Sequence, residues 1–187
     1  MPEPFRAALV GLRAALAAPG RSGLDLQEVP GPKRLAPYSV AVSAEICRDD
    51  EQVASGRFVV LHDPQGQEGW RGDTRVVAFV SADVEAEMAA DPALAQVGWS
   101  WLTESLDERG AHHTAAGGTV TRTVSCRFGQ IEDADEASEV EVRASWTPLA
   151  DADGDGPPDL GAHLLAWCDL LCATAGLPPP GVLQLRP

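Results

Sequence analysis

Residues 138–147 read Ser-Glu-Val-Glu-Val-Arg-Ala-Ser-Trp-Thr, and apolar and polar side chains alternate along this stretch without a break. A period of two residues is typical of a β-strand that covers a core with one face and meets water with the other. We therefore expect two distinct faces, with Val140, Val142, Ala144 and Trp146 pointing inward and Glu139, Glu141, Arg143 and Ser145 pointing outward.

Four further stretches predict strands. Residues 37–47 and 118–128 alternate in the same way, whereas residues 55–62 and 73–82 carry apolar side chains at both parities. The last two are therefore expected to be central strands that are covered on both faces.

Apolar side chains at helical spacing predict three helices, at residues 3–18, 91–109 and 159–175. The element order is then α-βββ-α-ββ-α. Strands joined by short turns pair antiparallel, so this order predicts an α+β fold: a single five-stranded antiparallel sheet with helices packed on it. By analogy of topology alone, the order is similar to that of type III secretion chaperones.

A chain of 187 residues is long enough to bury the core of one domain, so residues 1–187 are expected to fold as a single domain. Two segments are predicted to lie outside its regular elements. Residues 19–36 are rich in Gly and Pro and are interpreted as a connecting arm, and residues 151–158 as a flexible acidic linker before the C-terminal helix.

The formal net charge is −14, and five of the 14 Lys and Arg residues lie within residues 1–34. The strongly acidic remainder would repel phosphate backbones, so nucleic-acid binding is expected only through the basic arm at residues 6–34. A basic or Arg-rich protein surface is the partner that such a charge favours, and a second copy of the chain is another candidate. We expect a cytoplasmic protein without a membrane segment, because residues 1–20 lack the apolar core of a signal peptide.

No cofactor or metal site is predicted. Asp151, Asp153 and Asp155 match half of a calcium loop, but Ala162 stands where a bidentate carboxylate belongs. The adjacent histidines His112 and His113 would diverge in either a helix or a strand. The spacing of the four cysteines fits neither a zinc site nor a disulfide framework, and no catalytic motif is present. Whether the chain is an enzyme therefore stays open, with a non-enzymatic role favoured.

Arg122 is the most informative anomaly, since its parity places it with Val120 and Val124 on the inward face. One interpretation is structural: the guanidinium snorkels, or bonds a carboxylate such as that of Glu104 or Asp107. The other is functional: the guanidinium clamps an anion or carboxylate at a binding site. His62, followed by Asp63, is a further candidate base for such a polar cleft.

Three tryptophans are candidate binding residues. Trp99 and Trp101 lie two positions apart, so one helical stripe cannot bury both. Trp70 lies in a turn-rich stretch and is expected to be exposed. Exposed Trp side chains are frequent anchors of protein interfaces, although packing of Trp101 on another element is an equally good interpretation.

Several strings together resemble a known family. They are Leu61-His62-Asp63-Pro64, Gly98-Trp99-Ser100-Trp101-Leu102, Gly118-Thr119-Val120-Thr121-Arg122, Arg143-Ala144-Ser145-Trp146-Thr147-Pro148 and Trp167-Cys168-Asp169-Leu170-Leu171. The chain is similar along nearly its whole length to an uncharacterised family of high-GC Gram-positive bacteria, the domain of unknown function three thousand. The resemblance implies a bacterial cytoplasmic protein and no particular catalytic residue. A ribonuclease D-like gene near members of the family implies a link to RNA metabolism.

Three functional hypotheses follow from these observations. The first is a non-enzymatic protein-interaction or chaperone-like adaptor. The second is a small-molecule-binding domain or an enzyme of unrecognised type, with a polar cleft around Arg122. The third is an accessory protein in RNA metabolism that binds through the basic arm.

Overall fold

The computed structural model describes residues 1–18, 23–129, 137–150 and 156–177. These residues form an α+β fold, as predicted. In chain order the elements are α1 (Glu3–Ala17), β1 (Leu24–Val29), β2 (Tyr38–Arg48), β3 (Glu51–His62), β4 (Thr74–Asp83), α2 (Ala86–Ala90), α3 (Leu94–Glu108), β5 (His113–Ser125), β6 (Ala137–Pro148) and α4 (Leu160–Thr174).

The strands form one antiparallel sheet in the order β1-β2-β3-β4-β6-β5. The described residues therefore contribute six strands, and the prediction of five was wrong. Strand β5 follows α3 in the chain but does not pair with β4, because β6 lies between β4 and β5. This placement leaves β5 as an edge strand.

The strand that the sequence reading missed is β1, inside the predicted connecting arm 19–36. It pairs with β2 from Leu24 opposite Ile46 to Val29 opposite Ala41. The Gly and Pro residues on both sides indicated a loop and outweighed the short alternation of Leu24 and Leu26 with polar neighbours. Residues 19–22 of this arm and residues 151–155 of the predicted acidic linker lie outside the described residues.

Helix α4 lies at the centre of the inner face of the sheet, between α1 and α3, and contacts β3, β4 and β6. Eleven of its fifteen residues are buried, which explains why it is apolar on every side rather than along one stripe. Its Trp167 lies over Gly56 of β3 and donates an indole hydrogen bond of 3.1 Å to the carbonyl of Phe79. Glycine at position 56 is required here, because a Cβ would lie 2.7 Å from the Trp167 ring.

Helices α1 and α4 cross at two glycines. A Cβ at Gly161 would lie 2.7 Å from the carbonyl oxygen of Gly11, and one at Gly11 would lie 2.8 Å from the Asp159 carboxylate. Asp159 caps α4 by accepting hydrogen bonds from the backbone N–H groups of Gly161 and Ala162 at 2.9 and 3.3 Å. The small residues therefore let the two helix backbones approach closely.

The outer face of the sheet is covered only in part. A small cluster formed by Ala41, Val59 and Leu61 lies under Val29, Ala36 and Trp70. Strand β3 is thus covered on both faces at Val59 and Leu61, as predicted, whereas Arg57 earlier in the strand is exposed on the outer face. The same prediction fails for β4, where Val77 is 36% exposed on the outer face. Within the described residues, no helix is long and apolar enough to span a membrane.

Candidate interaction surface

The strand registers align the outward side chains into rows that run across the whole sheet. One row contains most of the acidic positions, and we call it the acidic row: Asp25, Glu45, Ser55, Ser81, Glu141 and Thr121. The neighbouring row, the arginine row, contains Gln27, Ser43, Arg57, Phe79, Arg143 and Thr119. Both rows lie beyond the part of the outer face that Trp70 and Ala36 cover.

Two pairs of carboxylates lie directly opposite each other on adjacent strands of this face. Asp83 of β4 is the register partner of Glu139 of β6, and Asp25 of β1 is the partner of Glu45 of β2. All four side chains are exposed. Like charges at directly opposed positions destabilise a sheet, so the fold maintains this negative potential at a cost in stability.

Arg143 neutralises only part of this negative charge. Its Nε and Nη2 donate hydrogen bonds of 2.5 and 3.0 Å to the two carboxylate oxygens of Glu141. The hydrogen bond from Arg143 holds the pKa of Glu141 below its usual value. The guanidinium carbon also lies 5.2 Å from the centre of the Phe79 ring, in the geometry of a cation–π contact.

Next to Arg143 the outer face contains a shallow open depression of about 430 Å³. Val77 and Phe79 form its apolar side, and Gly117 lies at its outer end on β5. No heavy atom of the described residues lies within 4 Å of the position that a Cβ on Gly117 would take. The absence of a side chain at Gly117 therefore leaves the depression open toward the edge of the sheet.

Strand β5 is irregular at its start and strongly exposed after that. A bulge between Thr114 and Gly117 places Ala115 at φ 51°, and Arg75 donates a 3.0 Å hydrogen bond to the Ala115 carbonyl. Arg75 also donates to Thr147 and Ser145, at 3.1 and 2.7 Å. These bonds fix the position at which the exposed part of β5 begins.

The family model described as protein of unknown function (DUF3000) matches residues 1–183. The chain belongs to this family. The resemblance expected from the quoted strings is therefore confirmed. No curated protein and no solved structure matches the chain.

Arg122 points to the helix side of β5, as its parity predicted, but it is exposed rather than enclosed. Its Nη1 donates hydrogen bonds of 3.0 and 2.6 Å to the carbonyls of Ala89 and Asp91, at the end of α2. The acceptors of Arg122 are therefore backbone carbonyls at the end of α2, and not the carboxylates of Glu104 or Asp107 that were expected. Helix α2 itself was not predicted from the sequence. This bonding supports a structural role for Arg122 as a link between β5 and α2.

The candidate tryptophans do not share one surface. Trp99 and Trp101 are both half-buried against the main core, and the Trp99 ring lies over Gly118 of β5, where a Cβ would be 2.8 Å from it. Trp70 is half-buried on the opposite face, and its carbonyl accepts a hydrogen bond from Thr147. Trp70 therefore covers part of the sheet instead of lying exposed.

Two histidines are buried inside the fold. The ring of His62, the candidate base, stacks on Phe5, and its Nδ1 lies 3.0 Å from the Thr74 hydroxyl. Buried His163 accepts a 3.0 Å hydrogen bond from the Trp146 indole, and burial lowers its pKa to about 4. These contacts indicate packing roles for both rings.

Among the described residues, the metal-ligating residue types show no convergent arrangement. In the part of the chain that the structure describes, no group of three or more His, Cys, Asp or Glu side chains could hold a metal ion. Burial also raises the pKa of the Cys168 thiol to about 12, so this thiol stays protonated.

The basic arm is partly neutralised. Arg6 pairs with Glu3, and Arg13 lies 3.3 Å from Glu28. Lys33 and Arg34 are exposed, and Arg21 lies outside the described residues.

The sequence reading missed the surface that contains Asp83, Glu139 and Phe79. The alternation in residues 138–147 did place Glu139, Glu141 and Arg143 outward. It could not place β4 beside β6, which is the pairing that brings Asp83 and Phe79 next to them.

Proposed function

We propose that this protein is a non-enzymatic interaction protein that binds a basic partner protein on the open outer face of its sheet. The observation that carries the proposal is the direct opposition of Asp83 and Glu139 on an exposed, uncovered face. A cationic side chain placed between two such carboxylates relieves their repulsion, so binding recovers the stability that the free protein lacks.

The distribution of charge supports a protein ligand over a nucleic acid. The whole chain has a formal net charge of −14, which repels phosphate backbones and attracts basic polypeptides at long range. The depression beside Phe79 and Val77 adds an apolar site next to the charges. Interfaces commonly combine such an apolar anchor with a charged rim.

The analogy with type III secretion chaperones belongs to this proposal. The analogy rests on the order of helices and strands alone, and in this protein the helices on one face of the sheet leave part of the other face open to a partner. A cytoplasmic location is part of the same proposal.

The test is affinity capture from a native bacterial lysate with a matched charge control. The wild-type chain is compared with the variant Asp83→Lys/Glu139→Lys and with Glu104→Lys/Glu108→Lys, which makes the same change of net charge on α3. We expect a protein with a basic segment to be retained by the wild type and the control and lost by the first variant. The purified protein should bind directly, and more weakly as salt increases.

Two results would contradict the proposal. A partner that binds the Asp83→Lys/Glu139→Lys variant as well as the wild type does not use this face. Recovery of RNA that depends on Lys33 and Arg34 would instead favour the accessory role in RNA metabolism.

A further inference from the structure

The exposed edge of β5 is available for pairing. Within the described residues β5 is the last strand of the sheet, so one side of its backbone has no strand partner. Edge strands are commonly protected by proline or by several charges. Residues 119–125 read Thr-Val-Thr-Arg-Thr-Val-Ser, with no proline and one charge. That charge, Arg122, lies on the helix side and is bonded to the end of α2.

The four outward positions along this edge have different neighbours. Gly117 borders the depression next to Phe79, and Thr119 is the register partner of Arg143. Thr121 is the register partner of Glu141, and Thr123 is the partner of Glu139. A strand added to β5 would therefore have an apolar cavity near one end of its outward face and carboxylates near the other.

We propose that the partner contributes an extended segment that pairs with β5 as an additional antiparallel strand. This inference rests on the proposed function and names its binding mode. Every pair in this sheet is antiparallel, and backbone hydrogen bonds at an open edge supply affinity without requiring one particular sequence. The outward side chains of the segment then determine which partner is chosen.

The register of β5 gives the pattern of those side chains. Residues that alternate along the segment face Thr123, Thr121, Thr119 and Gly117 in turn, since the added strand runs in the opposite direction. The positions facing Thr123 and Thr121 lie in the same rows as Glu139 and Glu141 but one strand further away, at about 10 Å by the strand spacing. Arg or Lys side chains are long enough to extend over the intervening threonine toward these carboxylates, so these positions favour Arg or Lys. The position facing Gly117 favours a large aromatic side chain, which fills the space beside a glycine in a neighbouring strand.

A synthetic peptide tests this pattern. It has nine residues, with arginine at the second and fourth positions, tryptophan at the eighth, and threonine or valine elsewhere. Binding to the full chain is measured by fluorescence anisotropy at low salt. Two further peptides carry N-methyl groups on alternate residues, one set at even and the other at odd positions. In an extended strand, alternate backbone N–H groups point toward and away from the neighbouring strand. Only one of the two sets therefore removes the N–H groups that pair with β5.

We expect the parent peptide and one N-methylated peptide to bind, and the other N-methylated peptide to lose most of its affinity. Replacing both arginines by glutamine should weaken binding about tenfold, because exposed charge pairs contribute modestly but both are removed. Equal binding of both N-methylated peptides would overturn strand addition but leave the basic partner of the proposed function standing. Failure of the parent peptide to bind would also overturn strand addition.

The substitution Gly117→Val tests the aromatic position without disturbing the fold, because the new side chain projects into open space. It should weaken the tryptophan peptide several-fold and leave a peptide with alanine at that position unchanged. An equal effect on both peptides would overturn the assignment of the aromatic position. Self-association of the free chain that Thr121→Lys abolishes would identify a second copy of the chain as the occupant, and would overturn the peptide proposal.

Discussion

The indole of Trp146 and the imidazole of His163 are joined by a 3.0 Å hydrogen bond in the interior of the protein, with Trp146 Nε1 as donor and His163 Nδ1 as acceptor. The bond connects the last part of β6 to the first turn of α4. Because Nδ1 accepts, the buried ring is in its neutral form in the native state. Burial, and to a smaller extent the neighbouring His113, lower the pKa of His163 from 6.5 to about 4.

The first prediction concerns pH. Since the pKa of His163 is lower in the folded protein than in the unfolded chain, its contribution to stability is complete above about pH 6.5 and is lost as the pH falls toward 4. Between pH 7 and pH 5 we expect about 2 kcal/mol of the free energy of unfolding to depend on this group. Urea titrations of the wild type and His163→Gln at both pH values measure it. Equal pH dependence of the two proteins would contradict the prediction.

The second prediction concerns the contact between Trp167 and Gly56. In Gly56→Ala the added Cβ would lie 2.7 Å from the indole ring and 2.9 Å from the carbonyl oxygen of Phe79. The side-chain and backbone shifts needed to remove this overlap should reduce the free energy of unfolding by about 1–3 kcal/mol. The control, Gly117→Ala, meets no atom within 4 Å and should change it by less than about 0.5 kcal/mol. Equal urea midpoints for the two variants would show that Trp167 is not closely packed.

The third prediction separates the two interpretations of Arg122. If its role is to hold the end of α2, Arg122→Met should lower stability by about 1 kcal/mol and increase amide hydrogen exchange in residues 86–91. Arg127→Met removes the same charge without touching α2 and serves as the control. Unchanged exchange in α2, together with loss of a bound anion, would support the functional interpretation instead.

The fourth prediction concerns the opposed carboxylates. Replacing Asp83 by lysine converts a repulsive pair with Glu139 into an attractive one, so we expect the free protein to become more stable by about 0.5 kcal/mol. The control Glu68→Lys makes the same change of charge at an exposed turn position between β3 and β4 and should change stability little. A variant that is more stable yet fails to bind the partner would show directly that the repulsion serves binding. A less stable Asp83→Lys protein would contradict the argument.

The sequence predicted the fold class and the inward face of most strands, because alternation is a local property that burial imposes residue by residue. It failed at β1, where six residues between Gly and Pro carry too little alternation to overcome the turn signals. It also failed at α2, whose five residues are too few to show helical periodicity.

The candidate surface was beyond sequence reasoning for a different reason. Rows of side chains across a sheet depend on strand order and register, and these depend on contacts between distant parts of the chain. The outward positions of Glu139 and Arg143 were predictable, but their neighbours Asp83 and Phe79 come from a strand more than fifty residues earlier. The same holds for Arg122, whose acceptors are backbone carbonyls and so leave no trace in residue identity.

The central position of α4 also determines the order in which the molecule can be completed during translation. The six described strands leave the ribosome before residues 160–174, so the centre of the inner face of the sheet remains exposed to water until α4 is synthesised. The nascent chain therefore passes through a stage in which the apolar centre of the sheet, between α1 and α3, is not covered. Expression yield should then depend on chaperone supply, and translational pausing before residue 160 should promote aggregation.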